Sequence, residues 1–393
     1  MKANRFNSWI KENLNQIKQS NLHRELVEIS SSMTPEIVIN KKIYYQFASN
    51  NYLGLTTDAK ITNSVISAIK KYGNGTGGSR LVTGTSNLHS KLESDIAKFK
   101  KTDDAIVFSS GYLASIGTIS SIMNKDDIIF SDELNHACLI DGARLSRSKI
   151  VIYKHSNMKD LESKLKKFKT SNGKKMIISD SVFSMDGDIA PLDSIVKLSK
   201  KYECISMIDE AHATGILGDT GSGASEMFGV QDKIDICMGT LSKAIGSVGG
   251  YIAGSSDLID YLKNRARSFI FDTSLPAGAL TASIRAIKLI ERQPSIRDDL
   301  NNNIQYIQDF LASSSFNYLK SVTPIIPIVV GDEEKALECS RFLLKNQIYV
   351  PAVRPPSVPK GQSRIRVTLM ATHKKKHIDK IIKVMENLEK IIN

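Results

Sequence analysis

Short apolar runs alternate with amphipathic segments through the middle of the chain, from about residue 46 to residue 280. The apolar runs are typical of buried strands, whereas segments such as Met158–Phe168 and Leu192–Tyr202 repeat apolar residues at helical spacing. This alternation predicts a mostly parallel sheet covered by helices. The predicted strands are Ala105–Phe108, Ile128–Phe130, Ile150–Tyr153, Met176–Ser179, Cys204–Ile208, Ile236–Met238 and Tyr251–Ala253.

The two ends of the chain follow other patterns. Residues 1–45 predict an amphipathic helix, with Trp9, Ile10, Leu14 and Ile17 on one face, and a strand near Ile37–Ile39. Residues 46–280 form the predicted large domain, and residues 281–393 form a smaller α+β domain. The elements predicted near and within that smaller domain are helix Leu280–Glu291, strand Thr323–Val330, helix Glu333–Lys345, strand Arg364–Leu369 and a last helix bearing Ile378, Ile381, Ile382, Met385 and Leu388.

Composition places the chain among ordinary globular proteins. Hydrophobic residues make up 41% and charged residues 24% of 393 positions. The four scattered cysteines form no CxxC pair, which argues against a zinc knuckle and fits a reducing cytoplasm. The N-terminus has no apolar stretch typical of a signal peptide. Residues Ala105–Asn124 lack charge, but their serines and glycines favour a strand, a turn and a buried helix over a membrane span.

The formal net charge of +12 attracts polyanions, so one alternative is a basic nucleic-acid-binding protein. That alternative predicts salt-dependent binding of DNA or RNA and no bound cofactor. No nucleic-acid motif accompanies the charge, and much of the excess is lysine on a predicted helix face. We therefore expect a solvated basic surface with no nucleic-acid or membrane partner, with some attraction for an anionic substrate left open. The lysines on the predicted helix face are Lys164, Lys166, Lys167 and Lys169.

Three strings of residues carry the candidate chemistry, and each follows a predicted strand. They are Ser109-Ser110-Gly111-Tyr112, Asp209-Glu210-Ala211-His212 and Gly239-Thr240-Leu241-Ser242-Lys243. In a parallel sheet, the carboxyl ends of the strands meet at the edge where ligands bind. Neither a GxGxxG dinucleotide motif after an early strand nor a GxxxxGK[ST] phosphate loop is present, which argues against nicotinamide and P-loop nucleotide chemistry.

The three strings together suit pyridoxal 5'-phosphate (PLP). That cofactor needs a lysine for a Schiff base, a carboxylate against its pyridine nitrogen, and backbone amides for its phosphate. Taken singly, Lys243 would be interpreted as a surface charge and Asp209 as a helix N-cap. In combination, Lys243 is the candidate Schiff-base residue and Asp209 the pyridinium partner. The candidate phosphate ligands are the amides of Gly111 and Tyr112 and the hydroxyls of Thr240 and Ser242.

Over residues 20–373 the sequence resembles the α-oxoamine synthases, a family of fold-type-I PLP enzymes similar in fold to aspartate aminotransferase. The resemblance implies decarboxylative condensation of an amino acid with an acyl thioester. The strings SMDGDIAPL and RPPSVP with SRIRVTL look most like the biotin-pathway branch, which implies L-alanine and a pimeloyl thioester of coenzyme A or acyl carrier protein. The matching strings are SNNYLGL, GTGGSRLVTGTSNLHSKLE, FSSGY, SDELNHACLIDGARLS, SVFSMDGDIAPL, DEAHATGILGDTGSG, GTLSKAIGSVGGY, RSFIFDTSLP and RPPSVPKGQSRIRVTL.

The resemblance also implies roles for single residues. Lys243 would be the acid and base at the substrate's Cα, His136 would stack on the cofactor ring, and His212 would hydrogen-bond the cofactor's phenolic oxygen. Ser184 and Asp180 would line the pocket. Asn50, Arg366 and Arg354 would lie on the substrate side. Arg366 would bind the amino-acid carboxylate. Arg364 is interpreted instead as a strand-face charge. Thr273 and Ser274 would reach the neighbouring subunit's cofactor phosphate, which implies a homodimer with shared active sites.

Two positions depart from the family's pattern. Asp272 stands where a small hydroxyl or neutral residue is common, beside the proposed phosphate contact, so we expect its carboxylate to point away from the phosphate. Ser222 stands where an arginine is usual. Other α-oxoamine synthases, such as glycine C-acetyltransferase (2-amino-3-ketobutyrate CoA ligase), share the same candidate residues, and a PLP aminotransferase on the same fold is a further alternative.

Overall fold

The computed structural model describes the backbone of residues 5–392 and the side chains of residues 5–390. The helices are α1 (Arg5–Gln19), α2 (Ala59–Tyr72), α3 (Asn87–Lys100), α4 (Gly111–Ile122), α5 (Ala137–Ser146), α6 (Met158–Lys167), α7 (Leu192–Lys201), α8 (Ala224–Met227), α9 (Ser256–Arg265), α10 (Arg267–Ile270), α11 (Ala277–Arg292), α12 (Ser295–Ala312), α13 (Glu333–Lys345) and α14 (Lys375–Ile392). The strands are β1 (Glu36–Ile39), β2 (Lys42–Gln46), β3 (Asp104–Phe108), β4 (Ile128–Asp132), β5 (Lys149–Tyr153), β6 (Lys175–Asp180), β7 (Ile205–Asp209), β8 (Ile236–Thr240), β9 (Gly250–Gly254), β10 (Ile325–Gly331), β11 (Ile348–Tyr349), β12 (Ala352–Val353) and β13 (Ser363–Thr368).

The larger of two compact units comprises residues 50–184 and 188–300. Its seven-stranded sheet has the order β3-β9-β8-β7-β6-β4-β5. Strands β8, β7, β6, β4 and β5 are parallel, whereas β9 runs antiparallel to both of its neighbours. All seven strands predicted for this region are confirmed. Several extend to a polar residue at the carboxyl end, which brings those residues to one edge of the sheet.

A hydrophobic cluster joins the sheet to α4, α5 and α9. Strand residues such as Ile129, Met207 and Ile252 are fully buried against Leu139 of α5 and Ile259 of α9. The uncharged stretch Ala105–Asn124 forms β3, a turn and α4, as predicted. Only two residues separate the end of β3 from the start of α4. The packing of β3 and α4 in this cluster therefore also fixes the start of α4 relative to the strand ends.

The smaller unit comprises residues up to 49, 185–187 and 301–393. It contains two three-stranded sheets, with the orders β1-β2-β11 and β10-β13-β12. The apolar stripe predicted for the last helix is present, since Ile378, Ile381 and Met385 of α14 are buried. The predicted N-terminal helix forms α1, and none of its residues is buried. Strands β2, β11 and β12 and helix α12 lie outside the elements predicted from sequence.

The two units divide the chain at 49/50 and 300/301, and residues 185–187 of the long middle segment belong to the smaller unit. The boundaries at 45/46 and 280/281 stay predictions based on pattern changes in the sequence. Helix α11 packs on α2 and α3 within the larger unit. Among the described residues, no helix is long and apolar enough to cross a membrane.

Candidate active site

Three neighbouring strands end in polar residues at one edge of the large sheet. Asp180 ends β6, Asp209 ends β7 and Thr240 ends β8. The strand register places Asp180 directly beside Asp209. Both carboxylates are almost fully buried, with 3% of each residue exposed. The carboxyl edge predicted from the sequence therefore carries two adjacent buried acids.

The two carboxylates have different partners. Asp209 accepts a hydrogen bond from the amide of Ala211 at 2.8 Å, and Asp180 accepts one from the amide of His136 at 2.6 Å. Burial raises the pKa of Asp180 well above its usual range, and the nearby charge of Asp209 raises that pKa further. Asp180 therefore takes up a proton readily, which leaves Asp209 as the residue suited to stabilise a cation.

Lys243 lies in the loop that follows β8. The loop closes on itself through hydrogen bonds from Ser247 N to Leu241 O at 2.8 Å and from Leu241 N to Gly249 O at 2.9 Å. The ammonium of Lys243 acts electrostatically on His136, Asp180 and the buried thiol of Cys138. The predicted lysine thus lies close enough to Asp180 and to the predicted stacking histidine to act on both.

His136 is the N-cap residue of α5. Its Nδ1 accepts a hydrogen bond from the amide of Cys138 at 3.2 Å, which leaves Nε2 to carry the proton of the neutral ring. Desolvation lowers the pKa of His136; Lys243 lowers it further, whereas Asp209 opposes the shift. A neutral imidazole is therefore favoured, and such a ring can stack on an aromatic cofactor.

The start of α4 forms an anion-binding edge. Ser110 caps the helix by accepting a hydrogen bond from the amide of Leu113 at 3.2 Å. Within the described residues no acceptor takes the amides of Gly111 and Tyr112, and helix N-termini bind phosphate through such amides. The Tyr112 side chain turns outward, where its hydroxyl donates to Asp141.

Glycines allow this helix start to approach the strand ends. A Cβ added at Gly250 would lie 2.4 Å from both Cα and N of Gly111, and one added at Gly111 would lie 3.0 Å from Cε of Met238. The hydroxyls of Thr240 and Ser242 are 2.8 Å apart, and a Cβ added at Gly111 would lie 3.4 Å from Thr240 Cβ. Amides, hydroxyls, a carboxylate and a lysine are thus grouped as PLP requires, so these residues fit the cofactor.

A second predicted site histidine, His212, contacts Tyr52, a residue that the sequence analysis did not single out. The Tyr52 hydroxyl lies 2.6 Å from Nδ1 of His212 and 3.1 Å from Oδ1 of Asn50. Tyr52 is fully buried, and His212 is 7% exposed. Asn50 and His212 were predicted site residues. Tyr52 was not, although it lies in the same SNNYLGL string as Asn50.

A buried ion pair supports the loop that carries Asp209 and His212. Nζ of Lys100 lies 2.5 Å from Oε2 of Glu210 and 2.9 Å from Oγ1 of Thr214, and both charged residues are at most 2% exposed. Lys100 also donates to the carbonyl of Ser222. At the position where the family commonly has arginine, Ser222 thus contributes its backbone oxygen to a buried cation.

The remaining predicted cofactor ligands lie in two loops of the larger unit, one with Ser184 and one with Thr273 and Ser274. The Ser274 hydroxyl donates to Gly84 O at 2.7 Å, whereas Thr273 is exposed. Asp272 accepts hydrogen bonds from the Ser109 hydroxyl and from the amide of Thr273. Its expected orientation away from a bound phosphate stays a prediction. Ser184 is half-buried at the end of the segment that follows β6.

The arginines of the predicted substrate site belong to the smaller unit. Arg366 of β13 donates to Oγ1 of Thr368 at 2.9 Å, and Arg354 donates to the carbonyls of Asn21 and His23. Arg364, interpreted from the sequence as a strand-face charge, is buried and pairs with Asp186 at 2.8 Å. The substrate roles of Arg366 and Arg354 therefore stay predictions.

Comparison with known proteins identifies the family. Residues 42–385 match the family model described as aminotransferase class I and II. The 8-amino-7-oxononanoate synthase of Lysinibacillus sphaericus is 48% identical over 98% of this chain and 99% of its own length. The protein named 8-amino-7-oxononanoate synthase 2 of Bacillus subtilis (strain 168) is 44% identical over 98% of both chains.

Solved structures agree with these relatives. A serine palmitoyltransferase of Sphingomonas wittichii superposes with a TM-score of 0.92 at 29% identity, covering 100% of this chain and 99% of that one. A serine palmitoyltransferase from S. paucimobilis with a bound PLP–myriocin aldimine gives 0.93 at 29% identity, covering 98% of both chains. The 8-amino-7-oxononanoate synthase of Francisella tularensis gives 0.77 at 28% identity, covering 89% of this chain and 98% of that one. The chain belongs to the aminotransferase class I and II family and groups within it with the proteins named 8-amino-7-oxononanoate synthase.

Proposed function

We propose that this protein is a PLP-dependent acyltransferase that makes 8-amino-7-oxononanoate in biotin synthesis. Its substrates are L-alanine and a pimeloyl thioester of coenzyme A or acyl carrier protein. The reaction forms a carbon–carbon bond between the Cα of alanine and the thioester carbonyl, and releases the thiol and CO2. The observation that carries the proposal is the grouping of Lys243, Asp209 and the start of α4 at one sheet edge, in a chain whose relatives bear that enzyme's name.

The predicted site residues are proposed to hold different parts of the cofactor. Lys243 would bind its aldehyde carbon covalently, Asp209 would keep a proton on its ring nitrogen, and His136 would stack on the ring. His212 would hydrogen-bond its phenolic oxygen, and Ser184 would line the pocket. The amides of Gly111 and Tyr112 and the hydroxyls of Thr240 and Ser242 would bind the phosphate. When bound, PLP supplies an electron sink for the carbanion formed at the substrate's Cα.

Lys243 also moves the proton in the reaction. Its ε-amine, when not bound to the cofactor, would take the proton from Cα of alanine and later return a proton to the same carbon. Asp209 favours this step because its negative charge stabilises the protonated ring nitrogen. Asn50, Arg366 and Arg354 are proposed to bind the substrate, with Arg366 forming the forked pair of hydrogen bonds to the carboxylate.

The assembly and location of the enzyme are part of the same proposal. Thr273 is exposed beside Ser274, which suits a residue that reaches the phosphate of a neighbouring subunit in a homodimer. The four cysteines are buried and free, which supports a cytoplasmic enzyme. The +12 charge is accounted for by a solvated surface, and we propose neither a nucleic-acid nor a membrane partner.

Product analysis tests the proposal. Purified protein with PLP is incubated with L-alanine and pimeloyl-CoA, and 8-amino-7-oxononanoate, free thiol and CO2 are measured. We expect the three products in equal amounts. Parallel reactions replace L-alanine by glycine with acetyl-CoA, or by L-serine with palmitoyl-CoA, because glycine C-acetyltransferase and serine palmitoyltransferase have the related chemistry. Turnover with either alternative pair and none with L-alanine would overturn the assignment, as would keto-acid release without a thioester.

A further inference from the structure

Asn135 lies where β4 has ended and the neighbouring strand β6 continues. The last register pair between these two strands joins Ser131 to Ile178. Beyond that pair, the Asn135 side chain donates to the carbonyl of Ile178 at 2.9 Å and accepts from the amide of Asp180 at 2.9 Å. Its nitrogen also donates to the Ser131 hydroxyl at 2.9 Å. Asn135 is 5% exposed, so a buried side chain makes the hydrogen bonds that a further residue of β4 would make with β6.

Backbone partners determine the orientation of this side chain. A main-chain amide can only donate and a carbonyl can only accept, so the oxygen of Asn135 faces Asp180 and its nitrogen faces Ile178. Both backbone groups belong to a strand that is buried along its whole length. Loss of the side chain would leave a buried donor and a buried acceptor without these partners, which costs stability. Asn135 therefore holds the end of β6 beside the end of β4.

The carboxylate of Asp180 extends this contact to the next residue of the chain. Its Oδ2 accepts a hydrogen bond from the amide of His136 at 2.6 Å, while its own backbone amide donates to Asn135. Asn135 and His136 thus both bind Asp180, one through its side chain and the other through its backbone. Asn135 and Asp180 are buried, whereas His136 is exposed. The two buried residues therefore fix the backbone from which an accessible imidazole extends.

We propose that Asn135 is a positioning residue that fixes the backbone of His136 through Asp180. The inference rests on the proposed function, in which the His136 ring stacks on the cofactor. The strength of an aromatic stack depends on the distance and tilt between the two rings, so a displaced backbone weakens it. Asn135 thus affects binding of the cofactor through the histidine and not by contact with the cofactor.

A double-mutant cycle tests the inference. The dissociation constant of PLP and the visible circular dichroism of the bound cofactor are measured in the wild type, Asn135→Ala, His136→Ala and the double variant. An aromatic stack contributes about 2- to 12-fold in affinity, so we expect each single variant to raise the dissociation constant within that range. The circular dichroism, which reports asymmetry around the cofactor, should change in both. In the His136→Ala background, Asn135→Ala should alter neither quantity further.

Asn303→Ala is the matched control. The Asn303 side chain also donates to two backbone carbonyls, those of Met370 and His373, but it lies in the smaller unit. We expect this variant to lower stability without changing the dissociation constant of PLP. An unchanged constant in Asn135→Ala, or an equal rise with and without His136, would overturn the inference while leaving the proposed function intact. A wild-type protein that acquires no chromophore with PLP would overturn both.

Two variants of Asp180 cover the case in which Asn135→Ala does not fold. Asp180→Asn and Asp180→Ala both remove the carboxyl group, but only asparagine retains an oxygen that can accept from the amide of His136. We expect Asp180→Ala to raise the dissociation constant of PLP at least about 2-fold more than Asp180→Asn, because only alanine releases the backbone of His136. Equal effects of the two substitutions would contradict the proposal, since Asn135 could then not act on His136 through this hydrogen bond.

Discussion

Asp180 and Asp209 lie side by side at the ends of two adjacent parallel strands, and each is 97% shielded from solvent. Two like charges this close raise the free energy of the doubly ionised state. The pKa of Asp180 is raised by its burial and by Asp209, so a proton resides preferentially on Asp180. The pair therefore favours a single negative charge at the proposed site.

Asparagine substitutions should affect the two acids differently. Asp209→Asn removes the charge that stabilises the ring nitrogen's proton, and we expect kcat/KM to fall by about 10²–10³-fold, as for loss of one electrostatic contact in an active site. Asp180→Asn replaces a readily protonated carboxyl group by an amide whose oxygen can still accept a hydrogen bond from the His136 amide. The fall in kcat/KM should therefore be at most about 10-fold. Steady-state kinetics with L-alanine and pimeloyl-CoA give both values. Equal losses would contradict this division of roles.

Lys243→Ala should abolish covalent attachment of the cofactor. The variant is expected to lose the borohydride-reducible visible absorbance and to turn over at least about 10²–10⁴-fold more slowly, because the proton-transfer group at Cα is gone. Absorbance before and after borohydride treatment, with mass spectrometry of the reduced protein, measures the attachment. Lys101→Ala, at an exposed position after α3, is the control. Retention of a reducible chromophore by Lys243→Ala would refute the assignment of the lysine.

Lys100→Met should destabilise the protein by leaving Glu210 buried without its cation. Removal of one partner of a buried pair costs about 3–5 kcal/mol, and the double variant Lys100→Met/Glu210→Gln should recover much of that loss. Urea unfolding measures the free energies. The exposed pair Lys197–Asp193, 3.2 Å apart, is the control, because an exposed pair contributes at most about 1 kcal/mol. A purely additive double variant would show that the two residues do not stabilise each other.

The local sequence pattern was enough for some of these features and insufficient for others. Lys243, Asp209 and Gly111 could be found because each follows an apolar run, and strand ends meet at one edge of a parallel sheet. Lys100 and Glu210 are 110 residues apart, and Tyr52 and His212 are 160 apart. Lys100 lies in a lysine-rich helix end, where local pattern favours solvent exposure. Only the packing of α3 against the large sheet reveals its burial.

Helix α12 is an element that the sequence analysis did not predict. Its sequence contains Asn301, Asn302 and Asn303, and asparagine is unfavourable in helix interiors because its side chain competes for backbone hydrogen bonds. The amide of Asn303 instead donates to the carbonyls of Met370 and His373 within the smaller unit. The apolar residues of α12 also recur at helical spacing, so a periodic signal was present beside the three asparagines, and tertiary contacts of this kind offset their unfavourable propensity. The apolar residues are Ile296, Leu300, Ile304, Ile307 and Leu311.

His155 should make stability depend on pH. Its Nδ1 lies 3.0 Å from Asp132 and its Nε2 lies 2.8 Å from Asp188. Burial alone would lower the pKa of His155, but the hydrogen bonds to these carboxylates raise it to about 10. Because the folded pKa exceeds the unfolded one, the stabilisation is complete below about pH 6.5, declines as pH rises and is lost above about pH 10. Melting temperatures of the wild type and His155→Gln should converge over that range. His23→Gln, at a half-buried histidine, is the control, and a gap that widens with pH would contradict the assignment.

Gly250→Ala should weaken binding of the cofactor's phosphate without removing any of its ligands. The added Cβ would lie 2.4 Å from Cα and N of Gly111, a distance that real Cβ contacts do not show, so the start of α4 must move away from β9. The amides of Gly111 and Tyr112 would then separate from the hydroxyls of Thr240 and Ser242. We expect the dissociation constant of PLP to rise by at least about 10-fold, equivalent to about 1.4 kcal/mol.

The measurement is equilibrium titration of the cofactor-free protein with PLP, followed by absorbance, with circular dichroism to verify that the variant is folded. Gly75→Ala is the matched control, because a Cβ at that position would meet no atom within 4 Å. The phosphate-free analogue pyridoxal separates an effect on phosphate binding from an effect on binding of the rest of the cofactor. If the start of α4 holds the phosphate, Gly250→Ala weakens PLP much more than pyridoxal. An equal weakening of both ligands would place the phosphate elsewhere.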